Sequence, residues 1–327
     1  MNSFIRKKKA LITGIRGQDG SYMAEKLLGL GYQIYGTTHI EASPSTLRHY
    51  SNLNISIEKL DLGNTVAVRD LVEKIQPDEI YNLAARSSSA QLFDDPVETA
   101  EINGLAVVRF LEAIRQSSPN SRFCQASSSE IFAGCNVTPQ DECTAMNPVN
   151  AYGAAKAYAA NIVSAYRSRF GLFATTAILY NHESPRRGMD YVTRKITQTV
   201  AKISLGLEDK LVLGTMDSYR DWGFAGDYAE AMWLMLQQSS AEDYVIATGE
   251  KHSVREFCDI AFSCVSLDYR KFVQIDPNWL RGNYAIQLCG NPEKAQKLLN
   301  WQPTISFPEL VRKMVESDLN LLQSSVN

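Results

Sequence analysis

The sequence predicts an α/β protein, a doubly wound parallel sheet followed by a smaller, mostly helical C-terminal domain. Three observations carry this. Short apolar runs alternate with helix-period runs up to Tyr180. Those short runs are near-continuously apolar. A glycine-spaced turn follows the first of them. Strands covered by helices on both faces read as unbroken apolar runs, and parallel neighbours need a crossover that is usually a helix.

The elements follow in order. "KALITG" predicts a strand and "SYMAEKLLGLG" a helix that Gly31 ends. "QIYGTT" and "ISIEKLDL" predict strands, and "TVAVRDLVEKIQP" a helix stopped by Pro77. "EIYNLAA" predicts the fourth strand, "VETAEINGLAVVRFLEAIRQ" one long helix, and "RFCQAS" the fifth strand. "AYGAAKAYAANIVSAYRSRFG" is a second long helix, and "FATTAILY" the sixth strand. After Tyr180 the rhythm breaks into "NHESPRRG", the helix "YVTRKITQTVAKISLG" and the short "KLVLG". "GDYAEAMWLMLQQ" and "DYVIATG" return one helix and one strand to the sheet. The rest, from "SVREFCDIAFSCV" to "ELVRKMVESDLNLL", is mostly helical. Residues 1–181 plus about 216–249 are therefore expected in one domain, and 182–215 plus 250–327 in the other.

Composition excludes several classes. The 327 residues carry a net charge of -3, so there is no basic footprint for nucleic acid. The run Arg6 to Lys9 reads as a solvated lead-in to the first strand. No apolar run approaches the about 18 residues of a membrane span, and the N-terminal apolar stretch is too short for a secretory leader. Six cysteines show no CxxC pair, which predicts free thiols, no metal site and a cytoplasmic protein.

"TGIRGQDGSY" sets Gly14, Gly17 and Gly20 between the first strand and a helix. Glycines there permit a tight turn and let a pyrophosphate sit on the helix N-terminus. Asp61 and Leu62 end the third strand, where an adenine edge would lie; Asp61 could equally cap the helix after Asn64. Tyr152 and Lys156 lie four apart in "YGAAK" and so share a helix face. A tyrosine hydroxyl titrates near pH 10, and a nearby ammonium or a cationic nicotinamide ring favours its phenolate.

With that pair placed after "SSSE", the sequence resembles an extended short-chain dehydrogenase/reductase. "GIRGQDGSYMAEKLL", "EIYNLAA", "QASSSEIFAG", "YGAAK", "NHESPRRG", "VTRKI", "RDWGFAGDYAEAMWLMLQ", "VIATGE", "HSVREF" and "LNWQP" narrow the resemblance to the GDP-mannose 4,6-dehydratases. The matching segments run from about residue 9 to residue 303. The resemblance implies a Rossmann-type sheet with a sugar-nucleotide-binding C-terminal domain. It implies a lyase that converts GDP-mannose to its 4-keto-6-deoxy product through internal hydride transfer and loss of water. Tyr152, tuned by Lys156, would take the O4 proton. Ser128, where the family usually has Thr, would hold O4, and Glu130 would take the C5 proton. Ser128 and Glu130, two apart, would face one way if the strand continued that far; the plain alternative is that Ser127 to Glu130 cap a turn.

The resemblance further implies cofactor contacts at Gly14, Arg16, Gly17, Gln18, Asp19 and Gly20, then Asp61, Leu62, Leu83, Ala85 and Ser87. It adds His182 and Arg187 on the nicotinamide side. Asn181, Val192, Lys195, Arg220 and Arg281 would hold the GDP-sugar. Asn103 would only prop its helix. A homodimer, and possibly a homotetramer, is implied.

The chain departs from the family in three places. Where "RRSS" is usual it has "TTHIEASPS", with no arginine before Arg48. "AQSHV" reads "AARSSSA", with Arg86 and Ser88. "RPTEV" reads "RGNYAI", placing Tyr284 where a glutamate is expected. NADP is expected, with Arg16 at its 2′-phosphate, Arg48 in reserve and NAD as the alternative cofactor. The pocket changes leave open a dehydratase of a larger GDP-sugar such as a GDP-manno-heptose. A 4-ketosugar reductase lacks a use for Glu130, an epimerase would need a further acid-base pair, and a non-catalytic sensor would not need the four-residue set.

Overall fold

The computed structural model describes residues 6–41, 43, 50, 52–87, 95–277 and 288–326. Arg48, Ser88, Arg281 and Tyr284 lie outside the described residues. The seven strands of the main sheet are β1 (Lys9–Thr13), β2 (Gln33–Thr38), β3 (Ile55–Lys59), β4 (Glu79–Asn82), β5 (Arg122–Ala126), β6 (Ala174–Leu179) and β7 (Tyr244–Ile246). Their order is β7-β6-β5-β4-β1-β2-β3, and every neighbouring pair is parallel. The order reverses between β1 and β4, and the carboxyl ends of strands at such a switch point form a ready crevice.

The helices are α1 (Gln18–Gly29), α2 (Thr65–Ile75), α3 (Ala106–Ser117), α4 (Ala151–Phe170), α5 (Val192–Ser204), α6 (Ala225–Gln237), α7 (Val254–Ser263), α8 (Glu293–Leu299) and α9 (Phe307–Val326). One face of the sheet is covered by Met23 and Leu27 of α1, Met232 and Met235 of α6, and Trp301 after α8. The other packs against Val68 and Val72 of α2, Phe110 and Ile114 of α3, and Val163 of α4. A separate cluster joins Ile196 and Val200 of α5, Phe257 and Phe262 of α7, and Phe307, Val311 and Met314 of α9. A buried ion pair, Arg194 with Asp318, crosses it, and Asp318 also accepts from Thr197 at 2.7 Å. None of these helices is long and apolar enough to cross a membrane.

Three elements differ from the expectation. The third strand stops at Lys59, before Asp61. The Asp61 carboxylate accepts from Gly63 N at 2.8 Å, and the cap of α2 is Asn64, which accepts from Val66 N and Ala67 N. The helix before β5 is not continuous. It runs through Pro96–Ala100, a π-turn at Glu101–Leu105, and then α3. The π-turn carries Asn103, whose amide bonds both the N and the O of Arg86 at 3.0 Å, so a tertiary contact takes the place of regular winding. Finally, β5 ends at Ala126, and Ser128 caps a 3-10 turn at Ser129–Phe132. Ser128 and Glu130 therefore do not sit on a prolonged strand.

Candidate active site

The glycine turn is sterically determined. Gly14 has φ +67°, and a Cβ there would meet Ala84 Cα at 2.9 Å. A Cβ on Gly20 would lie 2.4 Å from Gly14 O. The turn closes with Gly17 N donating to Gly14 O at 2.9 Å, and no side chain caps α1 at Gly17. Arg16 is exposed on this turn.

Asp19, in the first turn of α1, ties the turn to the strand Asn181–Glu183. His182 Nε2 donates to Asp19 Oδ2 at 3.0 Å, and His182 Nδ1 donates to the Tyr180 carbonyl at 2.7 Å. With both ring nitrogens facing acceptors, the surroundings favour the protonated ring. Burial acts to lower the His182 pKa, but Asp19 outweighs it and the net shift is upward. Burial likewise acts to raise Asp19, yet His182 and Arg187 pull it well below the carboxylate range. Gln18 Nε2 donates to the His182 carbonyl at 3.0 Å, and Ser184 Oγ donates to Gln18 Oε1 at 2.7 Å. Arg187 pairs with Glu183 at 3.1 Å and stacks 3.5 Å from the Tyr191 ring centroid.

Tyr152 and Lys156 are both buried on α4. The Lys156 ammonium donates to the Ala126 carbonyl at the end of β5. Burial lowers its pKa to about 8, with Asp19 acting the other way. The Tyr152 phenol departs from the expected downward shift. Burial raises it, and a hydrogen bond with Ser128 offsets this only in part. Glu130 faces the same region, where Asn150 Nδ2 donates to its Oε2 at 2.8 Å.

These groups open on one cleft of about 880 Å³. Ser128, Glu130, Tyr152 and Lys156 line it. Asp19, Leu83, Ala85, Ser87, His182, Arg187, Asn181, Val192, Lys195 and Arg220 line the same cleft. The glycines, Arg16, Gln18, Asp61 and Leu62 are not in the cleft wall. Leu62 is buried, and its carbonyl accepts from Arg109 at 3.2 Å. The sequence reading missed Tyr191, which bonds Ser87, and Glu183, which accepts from Thr193 Oγ1 at 2.5 Å. It also missed Asn150. The tight glycine turn, an α1 without a side-chain cap, and a buried Ser127 hydroxyl that lines the cleft and has no hydrogen-bond partner among the described residues fit a dinucleotide.

A parallel sheet with a glycine turn at its switch point and a tyrosine–lysine helix beside it defines the extended short-chain dehydrogenase/reductase class. Two solved structures share the fold. The dTDP-glucose 4,6-dehydratase of Bacillus anthracis in complex with NAD matches with a TM-score of 0.82 at 19% identity, covering 95% of this chain and 96% of that one. RMD from Pseudomonas aeruginosa complexed with NADPH matches with a TM-score of 0.80 at 19% identity, covering 96% and 98%. The family model for GDP-mannose 4,6 dehydratase spans residues 11–314. GDP-mannose 4,6 dehydratase 2 of Arabidopsis thaliana is 44% identical over 328 residues, covering 96% of this chain and 88% of that one. The chain belongs to the GDP-mannose 4,6-dehydratase family.

Proposed function

We propose that the protein is a hydro-lyase converting GDP-mannose to GDP-4-keto-6-deoxymannose. The observation that carries this is the convergence of a phenol, a hydroxyl and a carboxylate, Tyr152, Ser128 and Glu130, on one cleft beside a buried lysine. Tyr152 takes the O4 proton while Ser128 holds O4 by a hydrogen bond. Lys156 places positive charge beside the ring, 5.7 Å from its centroid, which favours the phenolate. A nicotinamide held here would supply the hydride chemistry, taking up hydride at C4 and giving it back at C6. The 4-ketone acidifies the C5 proton, which Glu130 takes. Glu130 then gives that proton to the departing C6 hydroxyl, which leaves as water, and the proton Tyr152 took from O4 balances the one that C5 regains as the hydride returns.

The cofactor proposed is NADP, with NAD as the alternative. Gly14, Gln18, Asp19, Leu83, Ala85, Ser87, His182 and Arg187 would hold its pyrophosphate and nicotinamide halves, and Arg16 its 2′-phosphate. Asn181, Val192, Lys195 and Arg220 would hold the nucleotide sugar. Residues 182–215 and 250–327 would form the substrate side and the remainder the cofactor side. Exposed Leu105 and Tyr158, on the π-turn and α4, suit a homodimer face, and a cytoplasmic setting fits the free thiols.

The test is incubation with a panel of GDP-, UDP- and CDP-sugars. Loss of one water from GDP-mannose, without net consumption of nicotinamide, supports the reading. Reduced cofactor accumulating in step with product would make the protein a dehydrogenase. Equal NAD and NADP affinity, or unchanged NADP affinity in Arg16→Ala, would reject Arg16 at the 2′-phosphate. Light scattering showing a monomer would reject the dimer.

A further inference from the structure

Asn150 uses its amide twice. Its Oδ1 accepts from Gly153 N at 2.7 Å and so caps α4, the helix that carries Tyr152 and Lys156. Its Nδ2 donates to Glu130 Oε2 at 2.8 Å. The amide orientation is fixed by these partners, because an N–H must meet an acceptor and a carboxylate must meet a donor. Ser, Thr, Asp and Asn all cap helices, but of these only Asn brings an amide N–H donor as well. The two turns are also in contact. A Cβ on Gly153 would lie 2.6 Å from the Glu130 carbonyl oxygen, so the first turn of α4 presses on the 3-10 turn that carries Glu130.

We propose that Asn150 is a positioning residue for the elimination step, holding one carboxylate oxygen of Glu130 so that the other is presented to the C5 proton. Glu130 Oε1 makes no hydrogen bond to the described residues, whereas Oε2 is taken by Asn150. A glutamate on a short turn has several rotatable bonds, and one charge-assisted hydrogen bond removes much of that freedom. A single residue thereby sets the start of the helix bearing the O4 base and the aim of the C5 base. The proposal rests on the dehydratase reading above.

The test separates cap from aim. Asn150→Asp keeps the shape and the cap but sets a second carboxylate against Glu130. Asn150→Ser keeps the cap and drops the amide donor. Three quantities are measured on the NADP-loaded protein with GDP-mannose: melting temperature, single-turnover oxidation at C4, and solvent deuterium washed into C5. Both variants should melt within a few degrees of wild type and oxidise C4 within about threefold. Exchange at C5 should fall at least about tenfold in Asn150→Asp, the scale of one hydrogen bond to a charged group. Asn150→Ser should show a smaller, separate loss at the same step. Wild-type C5 exchange in both variants overturns the proposal, as does an equal loss of both steps together with a lowered melting temperature, which marks a cap alone. Glu130→Gln, run in parallel, tests the parent reading. If it exchanges C5 normally, Glu130 is not the C5 base and both readings fall; if it alone fails, only the role of Asn150 is rejected.

Discussion

The Lys156 ammonium donates to the Ala126 carbonyl at 2.7 Å and stands 5.7 Å from the centroid of the Tyr152 ring. The lysine is thus anchored to the end of β5, and it acts on the phenol through space. Its burial lowers its pKa to about 8 from 10.5, so its charge is an unfavourable element of the fold near neutral pH.

Lys156→Met should therefore abolish turnover while leaving the melting temperature equal to or a few degrees above wild type. The Ala126 carbonyl keeps its bond from Gln125 Nε2 at 2.7 Å, so no acceptor is stranded. The sign follows from linkage. The folded state binds the lysine proton more weakly than the unfolded state, so this site makes wild-type stability rise with pH between about 8 and 10.5. Melting curves across that range should show wild type gaining on the variant. A drop of several degrees in Lys156→Met at neutral pH would contradict this.

Asp19 and His182 give a second pH signature. His182 is raised above its ordinary 6.5, so its contribution is complete below that value and fades as pH rises through the folded pKa. Asp19 is lowered below 3.8, so its contribution is complete above that value and fades as pH falls. The stability difference between wild type and Asp19→Asn should be largest between about pH 4 and 6.5. Arg187 also faces Asp19 and leaves a remnant at higher pH. A difference that stays flat from pH 4 to 9 would refute the pairing.

Two glycines should respond oppositely to alanine. At Gly153 a Cβ would meet the Glu130 carbonyl at 2.6 Å, and relief would require moving α4 away from the turn that carries Glu130. Gly153→Ala should cut turnover by about tenfold or more and lower the melting temperature. At Gly29, the last residue of α1, nothing lies within 4 Å of an added Cβ. Gly29→Ala should leave turnover intact and stabilise by up to about 1 kcal/mol through helix propensity. Equal behaviour of the two variants would rule out the collision.

Asp221 is fully buried and accepts from Thr248 N at 2.9 Å, Thr248 Oγ1 at 2.7 Å, Gly249 N at 3.0 Å and Gly290 N at 3.2 Å. Asp221→Asn replaces one acceptor oxygen by a donor facing donors. Stranded buried groups cost about 1–3 kcal/mol each, so thermal melts should fall by several degrees. An unchanged melt would show that the site repacks.

Periodicity carried the sheet. β1, β4, β5, β6 and β7 are runs such as "ALIT" or "ATTAIL" whose side chains are almost all buried on both faces, and such runs are visible without neighbours, whereas the edge strand β3 is buried only at Ile55. Tyr152 and Lys156 were legible for a similar reason, since four residues make one helical turn. Contacts between elements left no such trace. The bond of Asn103 to Arg86 bends regular helix into a π-turn, and nothing local announces it. Asn150 reads as a helix cap in the sequence, but its second bond depends on where the 3-10 turn lies. The fall of the Tyr152 pKa was inferred from a neighbouring charge, while burial, invisible in one dimension, works the other way. Asp61 was left between two roles, and the cap belongs to Asn64.

The Arg194–Asp318 pair spans 124 positions of chain. Synthesis at about 5–20 residues per second makes that a delay of roughly 6 to 25 seconds between the two partners leaving the ribosome. During that interval α5 carries an uncompensated guanidinium beside Ile196, Val200 and Ile203, with α9 not yet made to cover them. The strands up to β6 and the helices α2 to α4 that cover one face of the sheet are all made before α5, while Met232, Met235 and Trp301 of the other face come later. The nascent chain therefore passes through a stage with one face of its sheet covered and an amphipathic helix still unpaired.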